Sequence, residues 1–393
     1  MASRPLRKLL LATTGAALAG AIAVLVGCGT LRATQPEVPL SALELQGQEI
    51  FRHDTFGDEQ HWTDKLRLAE VVARDVQPLE ALSLGLKVDM DRLKLGRFLL
   101  HNPLAASGTR ELLRQDAVVG LKATFDEQGR MQRLGVTCAL CHSTVDDALL
   151  PGIGHRLDGW PNRSLDVGAI IAMSPVITPE QRAVYRSWGK GRHDPRFNID
   201  GQNTPIVLPP AYGLAEVKNE TYTGDAPISY WNAYVAVTQM GGQGSFSDPR
   251  LGIDVHHAPD LVTPKLPALR AYQHSLRAPR PTPGSYDSAS AGRGQAVFAS
   301  HCEGCHVAGS GTDNNAGVLH QPAETGMDGA YAARTVNKAY RTTPLRGLRH
   351  HPPYFHDGSA ATLDDVVAHY NRVRRLQLTG RQQRDLVEYL KTL

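Results

Sequence analysis

Apolar residues recur at helical spacing in the first quarter of the chain and again near its end. From Leu43 to about Leu100 the pattern is helical, and a shared apolar side is formed by Trp62, Leu66, Leu68, Val71 and Val72. A further helix is predicted from about Leu266 to Leu276. Residues 143–265 are instead rich in Gly, Pro and Asn, with only short apolar runs, so we expect loops there.

The last hundred residues have the periodicity of a small helical domain. Gly294 and Phe298 lie on a predicted helix that leads to Cys302, and a final helix carries an i, i+4, i+7 stripe formed by Leu386, Leu390 and Leu393. Thr379 and Gln382 can form a capping box at the start of this final helix. Before the domain, residues 278–290 hold three prolines and several small polar residues, which predicts a linker.

Two CxxCH motifs supply the candidate chemistry. In such a motif two thiols form thioethers with the haem vinyl groups, and the imidazole that follows ligates the iron. A zinc site is the alternative, but its two CxxC pairs usually lie about 15 to 20 residues apart. The two motifs here begin at residues 138 and 302, so we predict two covalently bound haem c groups, held by Cys138, Cys141, His142, Cys302, Cys305 and His306.

Helices, loops and haem motifs together predict a mainly α fold with two cytochrome c-like haem domains. We place an N-terminal haem domain with a helical extension and loop-rich inserts at 44–277, a linker at 278–290 and a C-terminal cytochrome c domain at 291–393.

The first 27 residues have the pattern of an export signal. Three basic residues precede an uncharged apolar run from Leu9 to Val26, and the run ends in Leu25-Val26-Gly27-Cys28, which resembles a bacterial lipobox. We predict a signal peptide at 1–27, acylation of Cys28, a tether at 28–43 and a lipid-anchored protein on the periplasmic side of a bacterial membrane. An uncleaved membrane helix is the alternative.

Removing residues 1–27 leaves 39 basic and 39 acidic residues, a balance that gives no reason to expect nucleic-acid binding.

Two stretches resemble a known family. Residues 344–348 (PLRGL) followed by 353–359 (PYFHDGS) are similar to the C-terminal signature of bacterial di-haem cytochrome c peroxidases and the related MauG enzymes. The segment 266–306, a helix and a Pro-rich linker followed by GRGQAVFASHCEGCH, resembles the passage between that family's two domains. The resemblance implies an exported di-haem oxidoreductase. Its partners would be a small electron donor of the cytochrome c or cupredoxin type and a small oxidant such as hydrogen peroxide.

The resemblance also implies roles for particular residues. The sixth ligand of the C-terminal haem would lie fourteen residues after His356, which gives Tyr370, with Met327 as the rival. Helical periodicity after Thr362 supports this choice, because Tyr370 shares a face with apolar residues. Trp231 would carry electrons between the irons. Asn203, with backbone carbonyls near His351 and Pro353, would hold a calcium ion between the domains.

One departure from the family concerns acid–base chemistry. The peroxidases have a Glu in the loop after the inter-haem Trp, whereas this chain has no Glu from Thr221 to Cys302. Nearby substitutes are Asp248, His256 and His257, and without a proton shuttle peroxide cleavage would be slow. The sixth ligand of the N-terminal haem is left open among His155, His193, Met240 and none. A redox enzyme is the leading hypothesis. The alternatives are an electron carrier with no substrate of its own and a haem scaffold or sensor.

Overall fold

Short helices joined by long loops make up residues 39–393, the part of the chain that the computed structural model describes. The predicted signal peptide, Cys28 and most of the predicted tether lie outside the described residues. Within 39–393, no helix is long and apolar enough to span a membrane. The helices are α1 (Ala42–His53), α2 (Leu68–Arg74), α3 (Pro78–Ser83), α4 (Leu95–Phe98), α5 (Ala106–Arg114), α6 (Ala139–His142), α7 (Val167–Ile171), α8 (Pro179–Ser187), α9 (Phe197–Asp200), α10 (Ile228–Tyr234), α11 (Leu266–Ser275), α12 (Ser288–His301), α13 (Pro322–Thr325), α14 (Ala330–Ala333), α15 (Leu363–Val373) and α16 (Gly380–Leu390).

Within residues 39–393 the strands are short and pair only in twos, and the mainly α prediction is confirmed. They are β1 (Val88–Asp89), β2 (Leu121–Phe125), β3 (Met131–Val136), β4 (Ser143–Val145), β5 (Ile153–Gly154), β6 (Arg156–Asp158), β7 (Arg192–His193), β8 (Ile206–Val207), β9 (Ser245–Asp248) and β10 (Ile253–His256). The pairs β2–β3, β4–β6, β7–β8 and β9–β10 are antiparallel, and β1–β5 is parallel. Strands β4 to β8 hold two or three residues each, too few to show an alternating pattern, which is why the sequence predicts loops in this part of residues 143–265.

Helix α1 crosses α11 at close range. A Cβ on Gly47 would lie 2.0 Å from the carbonyl oxygen of Ala268, so only glycine permits this approach. Ser41 and Glu44 form a capping box at the start of α1. Beyond this pair of helices, Trp62, Leu68 and Val71 are buried, in agreement with the apolar side predicted for this region.

The C-terminal helices are arranged as the sequence predicted. Helix α12 crosses α16, and a Cβ on Gly294 would meet the carbonyl oxygen of Asp385 at 1.9 Å. Thr379 and Gln382 form the predicted capping box of α16. The helices enclose an apolar core made of Phe298, Leu348, Tyr354, Ala360, Leu363, Val367, Leu378, Leu386, Val387 and Leu390.

Arginines join the sequence on either side of the linker into one compact unit, Ser41–Leu393. Arg334 pairs with Asp194 at 2.9 Å and with Asp200 at 2.8 Å. Arg341 donates to the carbonyl oxygens of Glu220 and Thr221. These contacts connect residues 194–221 with residues 334–341.

Candidate functional site

The two CxxCH motifs line one cavity of about 470 Å³. Its wall includes the two thiols and the imidazole of each motif. Most of the remaining wall is apolar, as expected for a site that takes up a large, flat, mostly apolar group.

In the N-terminal motif, helix α6 starts directly after Cys138 and ends at His142. Nδ1 of His142 lies 3.1 Å from the carbonyl oxygen of Pro209. Burial lowers the pKa of His142 to about 4, so its imidazole is neutral at pH 7. A neutral imidazole whose Nδ1–H is held by a carbonyl presents its Nε2 lone pair to a metal.

In the C-terminal motif, helix α12 ends at His301 and delivers Cys302 to the cavity. His306 packs 6.0 Å from the ring of Phe298, measured between ring centroids. Burial lowers the pKa of His306 to about 4, and its Nδ1 is buried without a hydrogen-bond partner of good geometry. This imidazole is also neutral and able to ligate a metal.

The four thiols of the motifs are not joined in disulfides. Burial raises the pKa of Cys138 and Cys141 to about 12 and that of Cys302 to about 11, so these thiols are protonated at neutral pH. Two neutral thiols and one neutral imidazole at each end of a mainly apolar cavity fit covalent haem c, which needs thioether partners and one nitrogen ligand.

Tyr370 and Met327 both line the cavity, so the structure brings the predicted sixth ligand and its rival to the same wall. Tyr370 lies on α15, which begins with a capping box formed by Thr362 and Asp365. Burial, with a further contribution from the Cys302 and Cys305 thiols, raises the pKa of Tyr370 to about 12. The choice between Tyr370 and Met327 stays a prediction.

The three candidate sixth ligands of the N-terminal haem differ in whether they line the cavity. Nδ1 of His155 lies 2.8 Å from a carboxylate oxygen of Asp91, and His155 is not part of the cavity wall. His193 and Met240 do line the cavity. The ring of His193 packs edge-on against Trp188 at 5.1 Å, and burial lowers the pKa of His193 to about 4.

Trp231 lies on α10 and is part of the cavity wall. Its ring centroid is 5.1 Å from that of Tyr234. A second series of aromatic contacts, which the sequence did not reveal, runs from Trp160 to Tyr212 at 6.0 Å, and from Tyr212 to His351 at 6.4 Å. Spatial contacts between residues so far apart in the chain leave no local pattern.

Asn203 is exposed, and its side chain already has two partners. Its amide oxygen accepts a hydrogen bond from Nε1 of Trp188 at 2.9 Å, and its amide nitrogen donates to Ser187 at 3.1 Å. The carbonyl oxygen of His351, a proposed calcium ligand, accepts a hydrogen bond from Arg163 at 2.9 Å. The calcium site stays a prediction.

The suggested acid–base substitutes do not reach the cavity. Asp248 is held by Arg250 and Tyr230, and the hydrogen bonds from Arg250 help to lower its pKa to about 2. His256 and His257 are exposed on and beside β10. None of these three residues lines the cavity.

A buried carboxylate that the sequence search missed does line it. Glu220 lies one residue before the interval that contains no Glu, and its side chain is fully shielded from solvent. One of its oxygens accepts a hydrogen bond from the backbone N–H of Ile228 at 2.7 Å, and the other lies 2.9 Å from Nε2 of His274. A search window widened by one residue would have included it.

Comparison with known proteins identifies a family model and several similar sequences. The family model "Cytochrome c" matches residues 291–393. The methylamine utilization protein MauG of Methylorubrum extorquens is 31% identical over 312 residues, which cover 72% of this chain and 79% of that protein. MauG of Methylophilus methylotrophus is 29% identical over 124 residues, covering 27% of this chain and 37% of that protein. Cytochrome-c peroxidase IdrP1 of Denitromonas iodatirespirans is 37% identical over 65 residues, which cover 14% of this chain and 17% of that protein.

The length and identity of the first match place the chain in a family, and the cavity with its two CxxCH motifs fits covalently bound haem c. The chain belongs to the family of di-haem cytochrome c peroxidases and MauG proteins, which supports a peroxidase-like role as a haem c oxidoreductase.

Proposed function

We propose that this protein reduces a small oxidant, such as hydrogen peroxide, at the N-terminal motif with electrons that a small redox protein delivers at the C-terminal motif. The donor is of the cytochrome c or cupredoxin type. Each peroxide then takes up two electrons and two protons and leaves as two waters. When bound, two haem groups supply the one-electron chemistry, and the residues of the chain position the donor, the oxidant and the protons.

The difference in solvent exposure between the two motifs supports the proposed direction of electron transfer, from the C-terminal to the N-terminal motif. The two residues between the cysteines of the C-terminal motif, Glu303 and Gly304, are exposed, so a partner protein can approach this motif from solvent. The corresponding residues of the N-terminal motif, Ala139 and Leu140, are buried. A donor protein is too large to reach the N-terminal motif, whereas a small oxidant can enter a cavity.

Two features of the cavity wall support binding of the oxidant and proton handling. His193 lines the cavity as a neutral imidazole that can hydrogen-bond an oxidant, and its ring packs edge-on against Trp188. Glu220 and His274 form a hydrogen-bonded acid–base pair between the wall and the partly exposed side of α11. Together they offer a substitute for the Glu that the sequence lacks after Trp231.

An electron carrier is the second candidate, because the wall also holds residues able to close both irons. Tyr370 or Met327 at one motif, and His193 or Met240 at the other, would leave no open coordination position. An enzyme of the proposed kind needs at least one open or labile position.

Spectra separate the two candidates. Peroxide, and then oxygen, are added to the fully reduced and half-reduced protein while the haem absorption is recorded. We expect one haem to react within the mixing time and the second to be oxidised after it. His193→Gln should slow the first step, and His155→Gln is the matched control, because His155 lies outside the cavity. If neither redox state reacts, the electron carrier takes the place of the enzyme.

Location and calcium complete the proposal. Cys28 is proposed to anchor the protein on the periplasmic side of a bacterial membrane. The mass of the mature protein and its partition into membranes test this anchor. Calcium at Asn203 is tested by chelation followed by metal analysis, with Asn203→Ala expected to lose the ion.

A further inference from the structure

Arg163 carries a guanidinium group for which the described residues provide no acidic partner. Its Nε and Nη1 atoms are buried without hydrogen-bond partners. Burial lowers the pKa of Arg163, and the other titratable side chains that affect this pKa are the neutral tyrosines Tyr222, Tyr212 and Tyr354 rather than carboxylates. A buried cation is costly unless an anion or several acceptors compensate it, so this site is incomplete as it stands.

The position of Arg163 connects it to the N-terminal motif. The neighbouring residue, Asn162, donates its backbone N–H to the carbonyl oxygen of Cys141 at 2.9 Å, and its side chain donates to Gly85 at 2.9 Å. Arg163 is therefore held one residue away from the segment that carries His142. Arg163 is one of the residues that line the cavity.

The other end of the same side chain reaches the C-terminal segment. Nη2 of Arg163 donates to the carbonyl oxygen of His351 at 2.9 Å, and both residues line the cavity. One side chain thus contacts the sequence on both sides of the linker.

The other arginines of the wall are occupied or exposed. Arg341 donates from its three nitrogens to backbone carbonyl oxygens, and Arg346 donates to the carbonyls of Gly213 and Ala215 and to Glu216. Arg374 is exposed. Arg163 is the wall arginine whose donors are both buried and unused.

We propose that Arg163 pairs with a propionate carboxylate of the haem ligated by His142 and links that carboxylate to the C-terminal segment through His351. The inference rests on the two-haem function proposed above. A haem c fixed by two thioethers and one imidazole still brings two carboxylates into the cavity. The fork of Nε–H and N–H donors on a guanidinium matches a carboxylate.

The expected effect follows from charge. A cation near the iron opposes the loss of an electron and therefore raises the reduction potential, and it also keeps the propionate ionised at lower pH. Arg163→Gln should lower the midpoint potential of one haem, leave the other unchanged, and make the lowered potential depend on pH between roughly pH 5 and 8. Arg163→Lys retains the charge and should show a smaller shift.

The test is a spectroelectrochemical titration of the purified full-length protein, with a haemochrome assay on each variant. Arg349→Gln is the control, since Arg349 is exposed two residues before His351. A wild-type count other than two haems contradicts the proposed function itself. With two haems present, unchanged and pH-independent potentials in both Arg163 variants overturn the pairing. If acetate added to the wild type shifts the same potential, Arg163 binds a soluble anion and the propionate assignment is wrong. If Arg163→Gln loses haem, the midpoint potentials of Arg163→Lys are compared with those of the wild type instead.

Discussion

Nε2 of His274 lies 2.9 Å from a carboxylate oxygen of Glu220, and the two side chains differ sharply in exposure. The side chain of Glu220 is fully shielded, whereas that of His274 is 25% exposed. The pair therefore connects a partly exposed imidazole with a carboxylate in the cavity wall, as a proton relay requires. The second oxygen of Glu220 holds the N–H of Ile228, the first residue of the helix that carries Trp231.

Glu220→Gln keeps the shape of the side chain and an acceptor for Ile228, but it cannot relay a proton. We expect peroxide turnover to fall by about 10²-fold or more, the usual size of a general acid–base contribution, with haem content unchanged. Steady-state kinetics over a range of pH measure the effect. Glu216→Gln is the control, because Glu216 is 68% exposed and lies four residues upstream. An equal loss in both variants would show that Glu220 has no proton role.

Tyr370→Phe tests the ligand at the C-terminal haem. A phenolate donates charge to iron and stabilises its oxidised state, so its removal should raise one midpoint potential and change the absorption spectrum. Tyr389→Phe is the control, because Tyr389 packs against Phe298 at 5.2 Å in the same core. If Tyr370→Phe behaves like the control, Tyr370 only packs against the haem and Met327 becomes the candidate ligand.

Local signals predicted the helical parts of the fold. The capping box at Thr379 and the helix after Thr362 depend on residues near one another in sequence, and both are present. Most of the paired strands were not predicted, because they contribute only two to four residues each. The longer strands β2 and β3, with five and six residues, were missed although β2 alternates apolar and polar residues.

The candidate site was predictable only where chemistry is written into adjacent residues. The CxxCH motifs meet this condition. Glu220 and His274 are 54 residues apart, and Arg163 and His351 are 188 apart, so only the folded chain brings each pair together. His155 shows the converse, because its distance from the first motif in sequence was suitable but Asp91 holds it outside the cavity.

Asp58 should make stability depend on pH. It is buried beside the N-terminal motif, where it accepts hydrogen bonds from the Val136 N–H and from Nε1 of Trp62. Burial raises its pKa from 3.8 to about 9. Between these values the unfolded chain has lost the proton and the folded chain retains it, so the free energy of unfolding falls as pH rises, by at most about 1.4 kcal/mol per pH unit.

Asp58→Asn removes this titration and keeps a side chain of the same shape. Denaturant unfolding at pH 5, 6.5 and 8 should then show a shallower decline with pH in the variant than in the wild type. Parallel curves for the two proteins would mean that Asp58 is ionised in the folded state.

Arg334 should be essential for the stability of the contact across the linker. Its side chain is 2% exposed and pairs with Asp194, which is fully buried. Arg334→Ala leaves that carboxylate without its partner, and we expect a loss of about 3–5 kcal/mol in the free energy of unfolding. Arg74→Ala, which breaks an ion pair between two exposed side chains, is the control and should leave the unfolding midpoint unchanged. Equal midpoints in the two variants would contradict the prediction.

We predict that Trp231, rather than Trp160, carries electrons between the motifs. Trp231 is part of the cavity wall, so its indole would lie against the bound groups. Trp160 lies outside that wall but contacts Tyr212 at 6.0 Å and His350 at 5.0 Å. We expect electrons to pass through the tryptophan that lines the cavity.

Trp231→Phe should slow the oxidation of the second haem after peroxide addition by about tenfold, equivalent to roughly 1.4 kcal/mol in the barrier, whereas Trp160→Phe should change this rate little. Stopped-flow spectra of the half-reduced protein measure the rate. A larger effect of Trp160→Phe would assign the route to the series from Trp160 through Tyr212 to His351, and Trp231 would then serve only to pack the cavity wall.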